Sequence, residues 1–307
     1  MKKLQTAVIL AALGAATLAA QAPPTYDTQQ LEQTVARIAL YPDPLLAQVL
    51  TASTFSNEIP DADGWARAHG YLTGDQMANA IREDNLPWDP SVQALLPFPS
   101  VLDLMAGDMN WTQQLGDAVL ADRAGVMDAI QDQRQRAYSY GYLRTGPQYR
   151  VATPGPGEID ILPVDPNLLY VPYYDPAVVF YRPRPGFFIG GAIGFGPRIF
   201  IGSFMPWGWG GVSFGWRSHD IVIGGRPWGR TWVNRGSYVH PYASLPARPA
   251  FRPGPGGGAP VAPPRAERHE LRPYSPPQRS YAPQQRGNQA PQQRGGGGER
   301  REEGGRR

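Results

Sequence analysis

Behind Thr28 the apolar residues Leu31, Val35, Ile38 and Ala39 recur at helical spacing; Thr28 can cap this first helix, and Pro42 stops it. Asp43 followed by Pro44 predicts a restart. A carboxylate there can accept the free amides of the first turn, and proline suits the first helical position because its missing N–H had no partner. The same pair recurs at Asp89-Pro90, opening the short run SVQALL. Thr73 with Gln76 predicts a capping box for a helix reaching about Glu83. Farther on, Trp111, Leu115, Ala118, Val119, Val126, Ala129, Ile130 and Ala137 form one stripe, so a single long helix is expected from about Asn110 to Tyr142. Asp122 lies on that stripe, where a partly exposed or arginine-paired carboxylate is expected. It is the polar position of this region that the pattern singles out.

After Gly146 the period changes to two. QYRVAT, a TPGPG turn and EIDILPV predict a hairpin, with LLYVPYY and AVVFY as further short strands. Prolines 163, 166, 172 and 176 confine these to short or edge strands. From Gly186 to Gly236, glycine and small residues alternate with aromatic and β-branched ones, which predicts twisted Gly-rich hairpins. GFFIGGAIGFG also shows the four-residue glycine spacing of tightly packed membrane helices, but Pro197 and Arg198 end it far short of the ~18 residues a span needs. From Leu245 onward the chain is PARPAFRPGPGGG and then PQQRG repeats at 283–287 and 291–295, with almost nothing apolar to bury.

The fold class expected is therefore α+β. A multi-helix domain at 28–145 precedes short strands at 146–181, a Gly/aromatic-rich β region at 182–244 and a disordered Arg/Pro/Gly/Gln-rich tail at 245–307. Ahead of these, Lys2 and Lys3, an apolar run from Ala7 to Leu18 and small residues after it have the three-part layout of a signal peptide over residues 1–22. Ala20 and Ala22 fit an A-x-A site. Pro23 fits poorly after the scissile bond, so cleavage after Ala19 is the fallback, and an uncleaved anchor is the competing reading. The chain is thus expected outside the cytoplasm, in the periplasm or outer envelope, with no membrane span after the signal.

Charge sharpens this picture. Residues 23–175 carry 8 Arg against 20 Asp and Glu, a net of −12, whereas residues 176–307 carry 19 Arg against 6 acids, a net of +13. Lysine occurs only at Lys2 and Lys3. A GC-rich genome accounts for the arginine preference; so does a need for bidentate contacts to carboxylate or phosphate. The absence of cysteine excludes disulfides, a lipid-modified cysteine, thiolate metal sites and a cysteine nucleophile.

No motif fixes a reaction. His69, His219, His240 and His269 stand far apart without an HExxH-type pair, so no metal site is expected, and no cofactor. GxSxG, Walker and GxGxxG strand-to-helix patterns are missing. Glu58, Glu83 and Asp84 are acid candidates by type alone, and no catalytic residue is assigned. The candidate ligand-binding set is Trp207, Trp209, Trp216, Arg217, Arg226, Trp228, Arg230 and Trp232, whose ring faces and guanidinium planes suit sugars and anions. Set against that, the same tryptophans can simply fill a glycine-thinned sheet.

The runs LYPDPLLAQVLTAST (40–54), PWDPSVQALLPFPSVLDLM (87–105), NWTQQLGDAVLADRAGVMDAIQDQRQRA (110–137) and YVPYYDPAVVF (170–180), together with Trp65, resemble a secreted bacterial family catalogued as domain of unknown function 3300. The resemblance covers roughly residues 28–180 and implies location and architecture, not mechanism. Asp122 stands where that family tends to carry an uncharged polar residue, which the resemblance sets against a shared catalytic acid there. The expectation is a non-enzymatic envelope protein whose arginine-rich C-terminal half contacts anionic polymer, a membrane surface or an acidic protein. Export disfavours nucleic acid. The rivals are a carbohydrate-binding module built on the tryptophans and a carboxylate-based wall hydrolase, which needs two acids about 5 to 9.5 Å apart.

Overall fold

The computed structural model describes residues 22–183 and 190–240, so the expected signal segment before Ala22 and the expected disordered tail from Leu245 lie outside the described residues. Aspartates cap five of the described helices, one residue earlier than Thr28 in the first case. Asp27 caps α1 (Thr28–Val35): its carboxylate accepts from the Gln30 amide at 2.8 Å while Gln30 Oε1 accepts from the Asp27 amide at 3.0 Å. A carboxylate also gains from the helix dipole, which a hydroxyl does not.

The second helix, α2 (Asp43–Ser53), is buried on every side and forms the middle of the structure. Around it stand α3 (Ile59–Ala68), α4 (Gly74–Glu83), α5 (Pro90–Gln93), α6 (Pro99–Gly107), α7 (Met109–Ala121) and α8 (Arg123–Ser139). Asp89 caps α5 as expected, accepting from the Ser91 amide at 2.9 Å. Thr73 does not form its expected box. Gln76 bonds the Thr73 carbonyl instead, and Gly74 turns the chain at φ +52.

The expected long helix is two helices. Asp122 leaves helical geometry at φ −146, ψ 70, and its carboxylate accepts from the Gly125 amide at 2.9 Å, so it ends α7 and caps α8. Asp108 makes the same joint between α6 and α7. The joint lets α7 pack on α2 and α8 pack on α1. Gly116 permits the first of these, because a Cβ there would overlap the Ser53 carbonyl.

The hairpin of β1 (Tyr149–Ala152) and β2 (Asp160–Pro163) pairs antiparallel with Tyr149 opposite Pro163. The next strand, β3 (Leu168–Tyr174), pairs with β4 (Ile193–Phe200), and the register shifts between Tyr170 and Pro172. AVVFY is not a strand. Asp175 accepts from the Ala177 amide at 2.9 Å and Pro176 begins the short helix α9 (Pro176–Val179), so the Asp-Pro signal overrides β-branched propensity. Past a 3-10 turn at Gly202–Trp207, β5 (Ser213–Gly215), β6 (Asp220–Ile223) and β7 (Arg226–Pro227) form a small meander. The chain is α+β, and one apolar core joins Leu46, Leu50, Phe98 and Ile130 of the helices to Ile161, Leu169, Ile221 and Trp228 of the strands. Helical and β segments therefore share a core.

Candidate functional site

All five tryptophans of the candidate set are buried, between 1% and 9% exposed. They fasten the C-terminal segment to the helices. The Trp207 indole N–H donates to Gln93 Oε1 at 2.9 Å, that of Trp209 to the Ala94 carbonyl at 3.2 Å, and that of Trp216 to Asp160 Oδ1 at 2.8 Å. Trp209 stacks on Phe98 at 5.1 Å, and the Trp232 amide donates to the Leu120 carbonyl. With the rings packed inward, no open stacking platform exists at these positions.

Three of the four arginines over these rings come from distant helices, and Arg235, three residues after Trp232, is a local partner outside the candidate set. Arg82 lies over Trp207, Arg134 over Trp216, Arg123 over Trp228 and Arg235 over Trp232, at 4.0 to 5.6 Å. Of the candidate set, Arg217 is exposed and paired with Glu158 at 2.5 Å, and Arg226 is exposed on β7. Arg230 points inward: it lies 3.6 Å from the Phe55 ring and donates to the Thr54 carbonyl at 2.6 Å and the Arg235 carbonyl at 2.9 Å.

Two buried polar clusters result. In the first, Arg134 has no exposed surface and donates to the carbonyls of Ala39, Tyr41 and Ile159 at 2.7 to 3.0 Å and to Asp43 Oδ1 at 2.7 Å. Asp43 therefore does not cap α2 as expected; it is drawn inward to neutralise Arg134. Burial pushes its carboxyl up to about 6 against the opposing pull of Arg134, so it is ionised at neutral pH. Arg134 lies four residues after Ile130 and three before Ala137, on the apolar stripe itself, and that placement was the sequence signal for it.

In the second cluster, His240 Nε2 meets Asp89 Oδ1 at 2.5 Å, and the Asp89 amide donates to Glu58 Oε2 at 2.6 Å. Burial raises the Glu58 carboxyl and lowers the Arg230 guanidinium from their ordinary values. Asp89 also accepts from Ser91 Oγ at 2.5 Å. Serine and histidine thus meet the same carboxylate oxygen. The other acid candidates lie at the end of α4: Glu83 is exposed, and Asp84 accepts from the Trp65 indole at 2.6 Å. His69 faces Asp84 and His219 faces Asp128, so the described histidines are dispersed, and no group of three metal-ligating side chains occurs among the described residues.

Asp122 is exposed and serves as a cap, so the residue singled out by pattern acts on the backbone. Open clefts lie elsewhere among the described residues. One, of about 530 Å³, is lined by Tyr142, Tyr149 and Phe195 with Arg144 and Gln148; another, of about 320 Å³, by Pro172, Tyr173 and Tyr174 of β3 with Tyr41 and Arg37. Both present aromatic rings beside an arginine. No described helix is long and apolar enough to cross a membrane.

Fold and site together define an α+β protein whose helices are clasped by a Gly/Trp-rich C-terminal segment. The model of the family described as protein of unknown function (DUF3300) matches residues 27–226, and the chain belongs to that family. It is also 34% identical over 186 residues to "Uncharacterized protein YacH" of Escherichia coli (strain K12), a match covering 50% of this chain and 30% of that protein. The chain thus spans less than a third of that relative's length. No solved structure matches.

Proposed function

We propose that this is an exported, non-enzymatic envelope protein whose arginine-rich C-terminal half contacts anionic envelope material. The supporting observation is how the arginines are divided. Arg123, Arg134 and Arg230 are turned inward onto main-chain carbonyls, and Arg136 pairs with Glu32 at 2.6 Å. The 12 arginines of residues 248–307 lie beyond this internal set, in a segment with 5 acids. Distributed charge of this kind contributes on the order of 1 kcal/mol per basic residue near an anionic surface and weakens with salt.

The test compares the mature chain, a chain ending at Leu245 and the isolated tail, on anionic vesicles and on purified cell wall across a salt series. Strong tail binding is expected, lost on truncation and falling with salt. Salt-independent binding retained by the truncated chain would overturn it and favour the rival carbohydrate-binding reading, which now draws on the cleft of Tyr142, Tyr149 and Phe195. Export carries its own test: the mature N-terminus should fall between Ala20 and Pro23. Intact Met1 in membranes that resist alkaline extraction would support an anchor.

A further inference from the structure

We propose that the cleft between the end of α8 and the strands β1 and β4 binds a sugar ring that carries a carboxylate, a uronic acid unit, with Arg144 holding the carboxylate. The site is separate from the charge of the C-terminal half and does not rest on the function proposed for it.

Local structure builds the cleft. Gly141 closes α8 in the left-handed region at φ +83, and the Gly141 and Tyr142 amides donate to the carbonyls of Tyr138 and Ala137. The chain beyond turns Leu143 fully inward, while Tyr142 and Arg144 on either side of it line the cleft. Opposite them stand Tyr149 of β1 and, two residues apart and so on one face of β4, Ile193 and Phe195. The Phe195 ring is tilted by 60° against that of Tyr149, 5.3 Å away. The volume of about 530 Å³ falls within the ~300–1,000 Å³ of small-molecule sites.

Two observations point to the ligand. Tyr149 is 4% exposed, yet its hydroxyl has no hydrogen-bond partner among the described residues and is not sealed from solvent, so it opens on the cleft that the residue lines. Burial pushes its ionisation up to about 12, so it stays a neutral group that can donate and accept. Arg144 is the second. Its Nε donates to the Gly141 carbonyl at 2.7 Å, which fixes the guanidinium, and among the described residues Nη1 and Nη2 have no partner. A side chain at position 141 would meet Nη2 at 2.7 Å, so glycine there serves both the turn and the arginine.

A fixed fork of free N–H donors matches a carboxylate, and no acid is among the residues that line the cleft to compete for it. Beside the fork, Tyr142, Gln148 and Tyr149 bring two hydroxyls and a carboxamide, groups that donate and accept as sugar hydroxyls do. The aromatic rings supply the apolar surface on which the C–H face of a sugar packs. A purely apolar acid would leave the Tyr149 hydroxyl unpaired on binding, and a neutral sugar would leave the Arg144 fork unused. The acidic sugar satisfies both.

The test is ligand-observed saturation-transfer NMR on the full mature chain, with glucuronate, glucose and acetate as probes. A ligand of the size of glucuronate should bind with a dissociation constant of about 1 mM, and glucose and acetate at least about tenfold more weakly. Arg144→Gln should weaken glucuronate about tenfold and leave glucose unchanged, so that the preference for the acid collapses. Tyr149→Phe keeps the ring, removes the hydroxyl and should weaken both sugars about fivefold; it decides the matter even if Arg144→Gln disturbs the turn at Gly141. The C-terminal arginines are the same in all these chains, so glucuronate held by them would bind the Arg144→Gln variant as tightly as the wild type and overturn the proposal. Equal affinities for glucose and glucuronate would overturn the role of the carboxylate, and acetate bound as tightly as glucuronate that of the sugar. Affinity unchanged by Tyr149→Phe would take the ligand out of this cleft. One site near 1 mM does not retain the chain on cell wall, so the salt series on the tail is decided independently.

Discussion

Replacing Arg134 by Met should destabilise the protein more than any surface substitution. The side chain is wholly buried, and its removal strands the Asp43 carboxylate together with the main-chain carbonyls of Ala39 and Tyr41, while the Ile159 carbonyl keeps its bond from Gln131 Nε2 at 3.2 Å. Breaking a buried ion pair from one side costs about 3–5 kcal/mol, because the remaining charge keeps its desolvation penalty without its partner. Each orphaned carbonyl adds to this, in part relieved by water. Against a total stability of about 5–15 kcal/mol, the loss is a large fraction. For a urea dependence near 2 kcal/mol per molar, the unfolding midpoint at pH 7 should fall by at least about 1.5 M. Tryptophan emission reports it, since Arg134 sits 4.9 Å over the Trp216 ring. Adding Asp43→Asn to Arg134→Met should restore about 1 kcal/mol or more by removing the stranded charge. A single-variant shift below about 0.5 M, or a double variant no more stable than the single, would refute the view that this pair holds the helices to the β1–β2 hairpin.

The remaining expectations concern the same contacts. Burial lifts the Asp43 carboxyl from 3.8 to about 6, so the folded state binds its proton more tightly than the unfolded state; this group's contribution therefore falls as pH rises from about 4 to about 6 and is flat above, and Asp43→Asn should remove that slope from urea midpoints measured across the range. Asp122→Ala should cost about 1 kcal/mol through loss of the α8 cap, while Asp122→Asn should cost little, as read by thermal melts; equal losses would argue against capping. Gly116→Ala should destabilise by about 1–3 kcal/mol or more because its Cβ overlaps Ser53. Gly64→Ala, in α3 with open space around it, should stabilise by roughly 0.5–1 kcal/mol, so opposite shifts in melting temperature are expected for the two.

Local chemistry made much of the architecture legible. Helical spacing, Asp-Pro restarts and period-two alternation gave α1, α2, α4 and α5, the β1–β2 hairpin and the α+β class, because caps and turns act within about four residues. The misreadings occurred where one residue type serves two local purposes. Asp122 on an apolar stripe could continue a helix or end one, and the packing of α7 on α2 and α8 on α1 chose the break. Asp43 had the form of a cap, but Arg134, 91 residues away, drew it inward. AVVFY had strand composition, and Asp175-Pro176 made it a helical turn.

Tertiary structure alone decided the partners of the tryptophans and arginines. Interleaving placed Arg217, Arg226 and Arg230 beside the indoles in sequence, whereas the guanidiniums over Trp207, Trp216 and Trp228 come from Arg82, Arg134 and Arg123 of distant helices; the Arg235–Trp232 pair alone of these four is local. Sequence patterning fixes which side chains must leave water. Which buried cation meets which ring, carboxylate or carbonyl depends on how desolvation is offset across elements far apart in the chain, and only the packed structure determines that.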